Sequence, residues 1–316
     1  MSPAALGLVL GAAVLHAGWN VLLHAEEDRV PAMAIAGLVG GALLLPFAIA
    51  DPPTEVAGLV VLTGFAEAAY ALALSAAYAR GTLSLAYPVG RGTAPLLATI
   101  GAFVVLSQRP GAAGVLGSAL LAVGLLLLGL EARRSDMLPA LGFALLVGVT
   151  IATYSVIDAK AVAETGPLGY LSLGLLIQGT LLSAVLGFDR PRLRVALRPG
   201  ALIALGVITA YGMILFAFRL ADVNAVTTLR ETSVLFGLLL AASIRRGGPG
   251  RARRSWWPGR CSRRSDRQPG RSSRVSTCIG RIAAKCRRSS VASLGSPSRS
   301  TIASTAASTY PTSRSA

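Results

Sequence analysis

The stretch that decides the fold runs from Tyr70 to Leu106 and opens with YALALSAAYARGTLSLAYPVGRGTAP before continuing as an apolar run. It predicts the end of one membrane helix, a tight turn at Arg80-Gly81 and the start of a second membrane helix. This second helix carries Arg91 at membrane depth, between glycines and prolines. Most of the remaining sequence can be interpreted as the surroundings of Arg91, or as a second copy of it at Arg230.

The composition indicates a membrane protein. Hydrophobic residues make up 53% of the chain and charged residues only 14%, whereas an average soluble domain is about 25% charged. The apolar residues form blocks of about 20, which is the length that a helix needs to cross a bilayer. The period-two alternation of a membrane β-barrel is absent. We therefore expect an all-α polytopic membrane protein.

The apolar blocks predict nine spans, separated by short polar or Gly/Pro-rich breaks. These spans cover residues 4–24, 32–50, 56–78, 83–106, 112–130, 138–157, 169–186, 200–218 and 223–244. Residues 189–199 are predicted to be a loop, and Asp158 and Lys160 to be loop charges.

Motifs recur along the chain at an offset of 135 to 141 residues. The matched elements are Leu6-Gly7 with Leu141-Gly142, Trp19-Asn20 with Tyr154-Ser155, Tyr70 with Tyr211, and Arg91-Gly-Thr with Arg230-Glu-Thr. Because each copy contains an odd number of helices, the second copy has the opposite orientation in the membrane. This predicts an inverted repeat of five-helix units, in residues 1–130 and 137–244, with a site at their interface.

The last 72 residues differ sharply from the rest. Residues 1–244 contain 13 basic and 13 acidic residues, whereas residues 245–316 contain 17 basic residues and one acid. All three cysteines also lie in this tail. Its Arg, Ser, Gly and Pro content predicts disorder, and it stands where a tenth span is expected.

Three interpretations of the tail stay open. It could lie on anionic lipid, bind nucleic acid, or be an out-of-frame translation. The last interpretation is favoured because GC-rich coding DNA shifted by one base tends to give such a composition. In that case the other reading frames after Ala242 should encode an apolar span.

The His16-Ala-Gly-Trp-Asn20 element, the turn from Arg80 to Pro88 and the two Arg-Gly/Glu-Thr elements resemble the drug/metabolite transporter superfamily, EamA type. This resemblance covers about residues 4–244. It implies ten helices in two inverted repeats, a central cavity, and export of amino acids, metabolites or drugs across the inner membrane. It also implies that Arg91 and Arg230 line the cavity.

Arg91 and Arg230 are the strongest candidate binding residues, because a charge in a membrane helix rarely faces lipid. An arginine at this depth can hold a carboxylate through two parallel hydrogen bonds. The alternative is structural: an ion pair of Arg230 with Glu231, or of Arg91 with Glu67, that fixes helix packing.

Glu67 and Tyr70 are three residues apart and share a helix face. Glu67 is a candidate proton carrier, and protons are the candidate coupling ion. The alternative is that Glu67 is the partner of Arg91. His16, Trp19 and Asn20 also share a face, on which His16 could relay protons or make a helix-packing hydrogen bond.

Four aromatic residues are candidates for a cavity wall that contacts organic cations or flat solutes. As isolated aromatics they could equally be membrane-interface anchors. They are Trp19, Tyr87, Tyr154 and Tyr211.

The spacing of polar residues predicts no catalytic set, no metal-ligand cluster and no phosphate-binding loop, so an enzyme, a metal or a cofactor is not expected. The expected partners are a small-molecule solute and the lipid bilayer, with a homodimer as a candidate assembly. The predicted function is transport by alternating access. The alternative function is a non-transporting or truncated membrane protein whose basic tail contacts lipid or nucleic acid.

Overall fold

The computed structural model describes residues 1–80, 83–130, 138–237 and 239, apart from the side chains at 78, 80, 83–88, 125, 126, 128–130 and 138–140. The predictions for residues 245–316 and for Gly81 of the predicted Arg80-Gly81 turn fall outside this description.

All regular secondary structure in the described residues is helical. The helices are α1 (Pro3–Ala25), α2 (Arg29–Ala50), α3 (Ala57–Arg80), α4 (Leu83–Leu106), α5 (Ala112–Leu130), α6 (Leu138–Ala161), α7 (Pro167–Val185), α8 (Arg190–Val195), α9 (Leu197–Phe218) and α10 (Val223–Arg230).

Seven of the described helices, α1 to α4, α6, α7 and α9, are long and apolar enough to cross a membrane. The outer surface fits this role, because large apolar side chains such as Val104 (71% exposed) and Leu120 (63%) face outward. The chain is therefore a multi-pass membrane protein whose described part is all-helical. Nine spans stay a prediction, since α5 is not among these seven helices, and residues 238 and 240–244 of the predicted ninth span lie outside the described residues.

Capping residues explain several helix ends. At the start of α1, the Ser2 side chain accepts a hydrogen bond of 3.2 Å from the Ala5 N–H, and Pro3 follows at the first helical position. Helix α7 also has a proline, Pro167, at its start, but its N-cap residue Gly166 makes no side-chain hydrogen bond. After α7, Gly187 and Phe188 adopt positive φ angles of 62° and 53°, which ends the helix.

The prediction of a loop at residues 189–199 is wrong. Asp189 accepts a hydrogen bond of 3.1 Å from the Arg192 N–H and caps the short helix α8, and α9 begins at Leu197. The side chain of Arg192 pairs with Asp28 at 2.7 Å, which joins α8 to the start of α2. The local cap and this surface pair give order to a segment whose composition is typical of a loop.

The predicted continuous helix from 223 to 244 is also wrong within its described part. Helix α10 ends at Arg230, residues 231 and 232 form a turn, and residues 233–237 are helical again. The N–H groups of Glu231 and Thr232 bond to carbonyls three residues back, at 3.3 and 3.0 Å. Such a tightened turn inside a helix changes the direction in which the following side chains point.

Helices α2 and α7 pack together most closely, because their facing residues are small. A Cβ added to Gly37 would lie 2.8 Å from the Leu175 carbonyl oxygen, and one added to Gly179 would lie 2.6 Å from the Leu38 nitrogen. The Ser172 hydroxyl donates to the Gly41 carbonyl across the same contact at 2.8 Å. Small residues of this kind allow membrane helices to approach at backbone distance.

The remaining helices pack on this pair or on its neighbours. Helix α1 packs on α9, and α6 packs on α3 and α4. Helix α2 also contacts α9, α7 contacts α3, and α10 lies against α4, α1 and α5. The Asn224 amide secures α10 by donating to Thr99 of α4 at 2.7 Å and to Ser118 of α5 at 2.6 Å.

Candidate functional site

A small cavity of about 40 Å³ lies among α1, α2, α3, α6, α7 and α9. A site needs roughly 10 to 15 Å³ for each water molecule on this measure, so the cavity has room for a few waters and not for an organic solute. Its lining residues are His16, Trp19, Met33, Ala36, Gly37, Glu67, Tyr70, Tyr154, Leu175, Gln178, Val207 and Tyr211.

Tyrosines from three helices form one wall of the cavity. The Tyr154 ring of α6 makes edge-to-face contacts with Tyr70 of α3 at 5.9 Å and with Tyr211 of α9 at 5.8 Å between ring centroids. On α1, the rings of His16 and Trp19 make a similar contact at 4.7 Å. Edge-to-face pairs fix ring orientation, so this wall is pre-formed.

Two polar side chains on the cavity have unused hydrogen-bonding capacity. Glu67 is 8% exposed, and its Oε2 has no hydrogen-bond partner among the described residues. The same holds for Nε2 of His16. The Gln178 amide donates to the backbone carbonyl of Glu67 at 3.4 Å, which leaves the Glu67 carboxyl group available to the cavity.

Arg91 of α4 is 2% exposed and contacts the segment after α10. Its Nε lies 3.0 Å from Oε2 of Glu231, and its Nη2 donates to the Ser233 hydroxyl at 2.8 Å. The turn at residues 231 and 232 brings both partners onto the side that faces α4. The structure thus supports a structural ion pair at Arg91, with an acid other than the predicted Glu67.

Arg230 is equally buried but has a different environment. Its guanidinium carbon lies 6.0 Å from the centroid of the Tyr154 ring. Its Nε and Nη2 have no hydrogen-bond partner among the described residues. A buried guanidinium over an aromatic face, with two N–H groups unused, can accept an anionic group that enters beside Tyr154.

Asp158 is not a loop charge as predicted, because α6 continues past it to Ala161 and its side chain is fully buried. Oδ1 accepts hydrogen bonds from the hydroxyls of Thr63 at 2.6 Å and Tyr170 at 2.7 Å. Oδ2 accepts a hydrogen bond from the hydroxyl of Tyr211. These donors belong to α3, α7 and α9, so one carboxylate connects four helices.

The predicted site residues converge in part. His16, Trp19, Glu67, Tyr70, Tyr154 and Tyr211 line one cavity, and Arg230 lies beside Tyr154. Asn20 is buried but does not line the cavity, and its amide donates to the His16 carbonyl at 2.9 Å. The side chain of Tyr87 lies outside the described residues.

Sequence reasoning missed Asp158, Thr63, Tyr170 and Gln178. A signal for Asp158 was present, because it follows Tyr154 by four residues and so shares its helix face. No comparable signal marks Thr63 or Gln178, which are ordinary polar residues within apolar helices.

No family model matches this sequence, and a search of curated proteins finds no match. Several solved chains match this fold. Among them is a protein of known crystal structure, with a TM-score of 0.59 and 18% sequence identity over 79% of this chain and 91% of that chain. At this identity the similarity is one of fold alone.

Proposed function

We propose that this protein is an inner-membrane solute transporter of the EamA type, built from two inverted repeats and working by alternating access. The observation that carries the proposal is the cavity between the helices: it is lined by a tyrosine wall and by Glu67, whose Oε2 has no partner among the described residues, and the buried Arg230 lies next to it over the ring of Tyr154. Ionisable residues inside a membrane protein mark solute or ion pathways more often than packing.

The packing of the helices supports the repeat. If α1, α2 and α3 correspond to α6, α7 and α9, each contact should recur with the partners exchanged. Helix α1 packs on α9 as α6 packs on α3, and α2 packs on α9 as α7 packs on α3. The α2–α7 contact would then contain the symmetry axis, which agrees with the facing glycines Gly37 and Gly179.

The chemistry of the cavity suggests the kind of solute. The tyrosine wall suits a flat or apolar body, Glu67 suits a hydrogen-bond donor or cation, and Arg230 suits an anionic group. Because the cavity is about 40 Å³, a solute can enter only if helices separate on one side. The turn after Arg230 is a natural hinge for this movement.

Transport can be tested with full-length protein in lipid vesicles loaded with a panel of amino acids, organic acids and organic cations. We expect release of at least one of these compounds above that from protein-free vesicles. Arg230→Gln should reduce this release about tenfold or more when the released compound carries an anionic group. The matched control is Arg192→Gln, because Arg192 is an exposed arginine that pairs with Asp28, and neither residue lines the cavity. Release equal to that of protein-free vesicles for every compound contradicts the proposal.

The alternative, a membrane anchor whose tail contacts lipid or nucleic acid, predicts a different outcome for deletion of residues 245–316. We expect the deletion to leave vesicle release unchanged. Loss of release with intact membrane insertion would favour a function of the tail.

A further inference from the structure

Asp158 has an environment that is unusual for a carboxyl group in a membrane helix. It is fully buried, and no lysine or arginine among the described residues lies within ion-pair distance of it. Its bonding partners are three neutral hydroxyls, from Thr63, Tyr170 and Tyr211. An ion-paired acid is locked in its charged form, whereas an acid held by hydroxyls can change its protonation state without leaving a counter-ion buried alone.

The two carboxyl oxygens are not equivalent. Oδ1 accepts two hydrogen bonds, from Thr63 and Tyr170, whereas Oδ2 accepts one, from Tyr211. A proton that binds Oδ2 therefore disturbs a single hydrogen bond and leaves the two bonds to Oδ1 in place. The geometry makes Oδ2 the oxygen that can be protonated with least rearrangement.

Tyr211 connects this oxygen to the cavity, because its ring lines the cavity wall beside Tyr154. A phenol has one hydrogen to donate. While Asp158 is ionised, that hydrogen points to Oδ2. Once Oδ2 carries a proton, it donates to the Tyr211 oxygen, and the phenol hydrogen turns toward the cavity. The wall then offers a donor that it did not offer before.

We propose that Asp158 is a proton-binding site, and that its protonation reverses the hydrogen bond with Tyr211 and so changes what the cavity wall offers to a solute. The proton comes from a hydronium ion: one O–H bond of hydronium breaks, one O–H bond to Oδ2 forms, and the products are water and a neutral acid. Proton binding stands by itself, whereas its coupling to a solute rests on the transport function proposed above.

Other ionisable groups face Asp158. Glu67 lies one helical turn from Thr63 on α3, Arg230 lies on α10, and Tyr154 precedes Asp158 by one turn on α6. Helix α4 also packs against α6, but its Arg91 is engaged with Glu231. Of these groups, Glu67 is the competitor for the proton, because it is the other carboxyl group near the cavity.

The test is infrared difference spectroscopy on purified full-length protein in lipid bilayers, stepped from alkaline to acidic buffer without any solute. We expect the carbonyl band of a protonated carboxyl group together with a change in a tyrosine band. Asp158→Asn should remove both signals, and Glu67→Gln should leave both in place. Tyr211→Phe should keep the carboxyl band and remove the tyrosine change. Tyr170→Phe is its matched control, since Tyr170 contacts Asp158 but not the cavity, and it should keep the tyrosine change.

Three results would overturn the proposal: the absence of any carboxyl band in the unmodified protein, loss of the band in Glu67→Gln alone, or loss of the tyrosine change in Tyr170→Phe rather than in Tyr211→Phe. If Asp158→Asn is not monodisperse, Asp158→Glu replaces it, and an unshifted carboxyl band then counts against Asp158. Because no solute is present, this result is independent of the vesicle-release experiment. Proton binding without solute release would contradict only the proposed transport function. Solute release without proton binding would contradict only the proposed role of Asp158.

Discussion

Arg91 and Arg230 occupy equivalent places in the two proposed repeats, yet their environments differ. Each is 2% exposed. Arg91 has an acid at 3.0 Å and a serine hydroxyl at 2.8 Å, whereas Arg230 lies 6.0 Å from the centre of a tyrosine ring. One residue explains the difference. Arg230 is followed by Glu231, whereas Arg91 is followed by Gly92. The turn at residues 231 and 232 directs the Glu231 carboxylate toward Arg91.

This comparison distinguishes Arg91, whose charge is paired within the protein, from Arg230, which has N–H groups that could bind a ligand. An ion pair buried on both sides holds two segments in register and is damaged when either partner is lost. A buried arginine on an aromatic face keeps donors for a ligand. Similarity in sequence therefore does not imply that the two arginines have the same role: Arg91 pairs with Glu231 and Ser233 in the segment after α10, whereas Arg230 lies over the ring of Tyr154 with two N–H groups that have no partner among the described residues.

The largest expected effect is that of Glu231→Ala. Removing one partner of a buried ion pair leaves an uncompensated charge, so we expect the free energy of unfolding to fall by about 3 to 5 kcal/mol. The measurement is reversible denaturation in mixed detergent micelles. The double variant Arg91→Met/Glu231→Ala should recover part of the loss. Glu164→Ala, at an exposed position, is the control and should change stability by less than about 0.5 kcal/mol. Equal losses at both glutamates would mean that Glu231 is not a structural partner.

The next largest loss of stability is expected at Gly37 and Gly179, which face each other in the contact between α2 and α7 and should respond alike to substitution. Gly37→Val and Gly179→Val each place atoms where the partner backbone lies, at 2.8 and 2.6 Å. We expect each to destabilise the protein by about 1 to 3 kcal/mol, the usual range for overpacking.

The control for the two glycines is Gly18→Ala, since nothing lies within 4 Å of a Cβ added there. Thermal unfolding of the detergent-solubilised protein measures all three variants. A large effect at only one of the two facing glycines would contradict close packing around a shared axis.

Arg230→Gln should separate stability from function. Because no ion pair to Arg230 is present among the described residues, we expect its free energy of unfolding to change by about 1 kcal/mol or less, far below the change for Glu231→Ala. A charged hydrogen bond to a ligand contributes about 1.5 to 3 kcal/mol, so solute affinity should fall about tenfold or more. The measurement is solute binding followed by the fluorescence of Trp19, which lines the cavity. A loss of stability as large as that for Glu231→Ala would mean that both arginines are structural.

Much of this arrangement could be predicted from the sequence, because apolar blocks of membrane length are a strong signal. The fourth predicted span coincides with α4, and the fifth with α5. Helical spacing also placed His16 with Trp19 and Glu67 with Tyr70, and both pairs line the cavity. These predictions depend on periodicity within one helix, which the sequence records directly.

The contacts between helices could not be predicted in the same way. Asp158 stands one residue beyond the predicted end of its span, where a charge is typical of the membrane interface. Its burial depends on hydroxyls from three other helices. Glu231 was matched with its neighbour in sequence, Arg230, because the turn that directs it toward Arg91 has no glycine or proline to mark it.

The smallest expected effect is at Tyr154, and it tests whether the ring of Tyr154 positions Arg230. Tyr154→Phe keeps the ring face, whereas Tyr154→Leu removes it. A cation–π contact contributes about 0.5 to 2 kcal/mol, so Leu should weaken binding of an anionic solute more than Phe does, because Arg230 loses the surface that orients it. Tyr70→Leu is the comparison variant: it removes a neighbouring ring of the same wall, 5.9 Å from Tyr154, and should weaken binding less than Tyr154→Leu does, because Arg230 lies over the ring of Tyr154. The measurement is solute affinity of the three variants, and equal affinities for Leu and Phe at position 154 would show that the ring face does not hold Arg230.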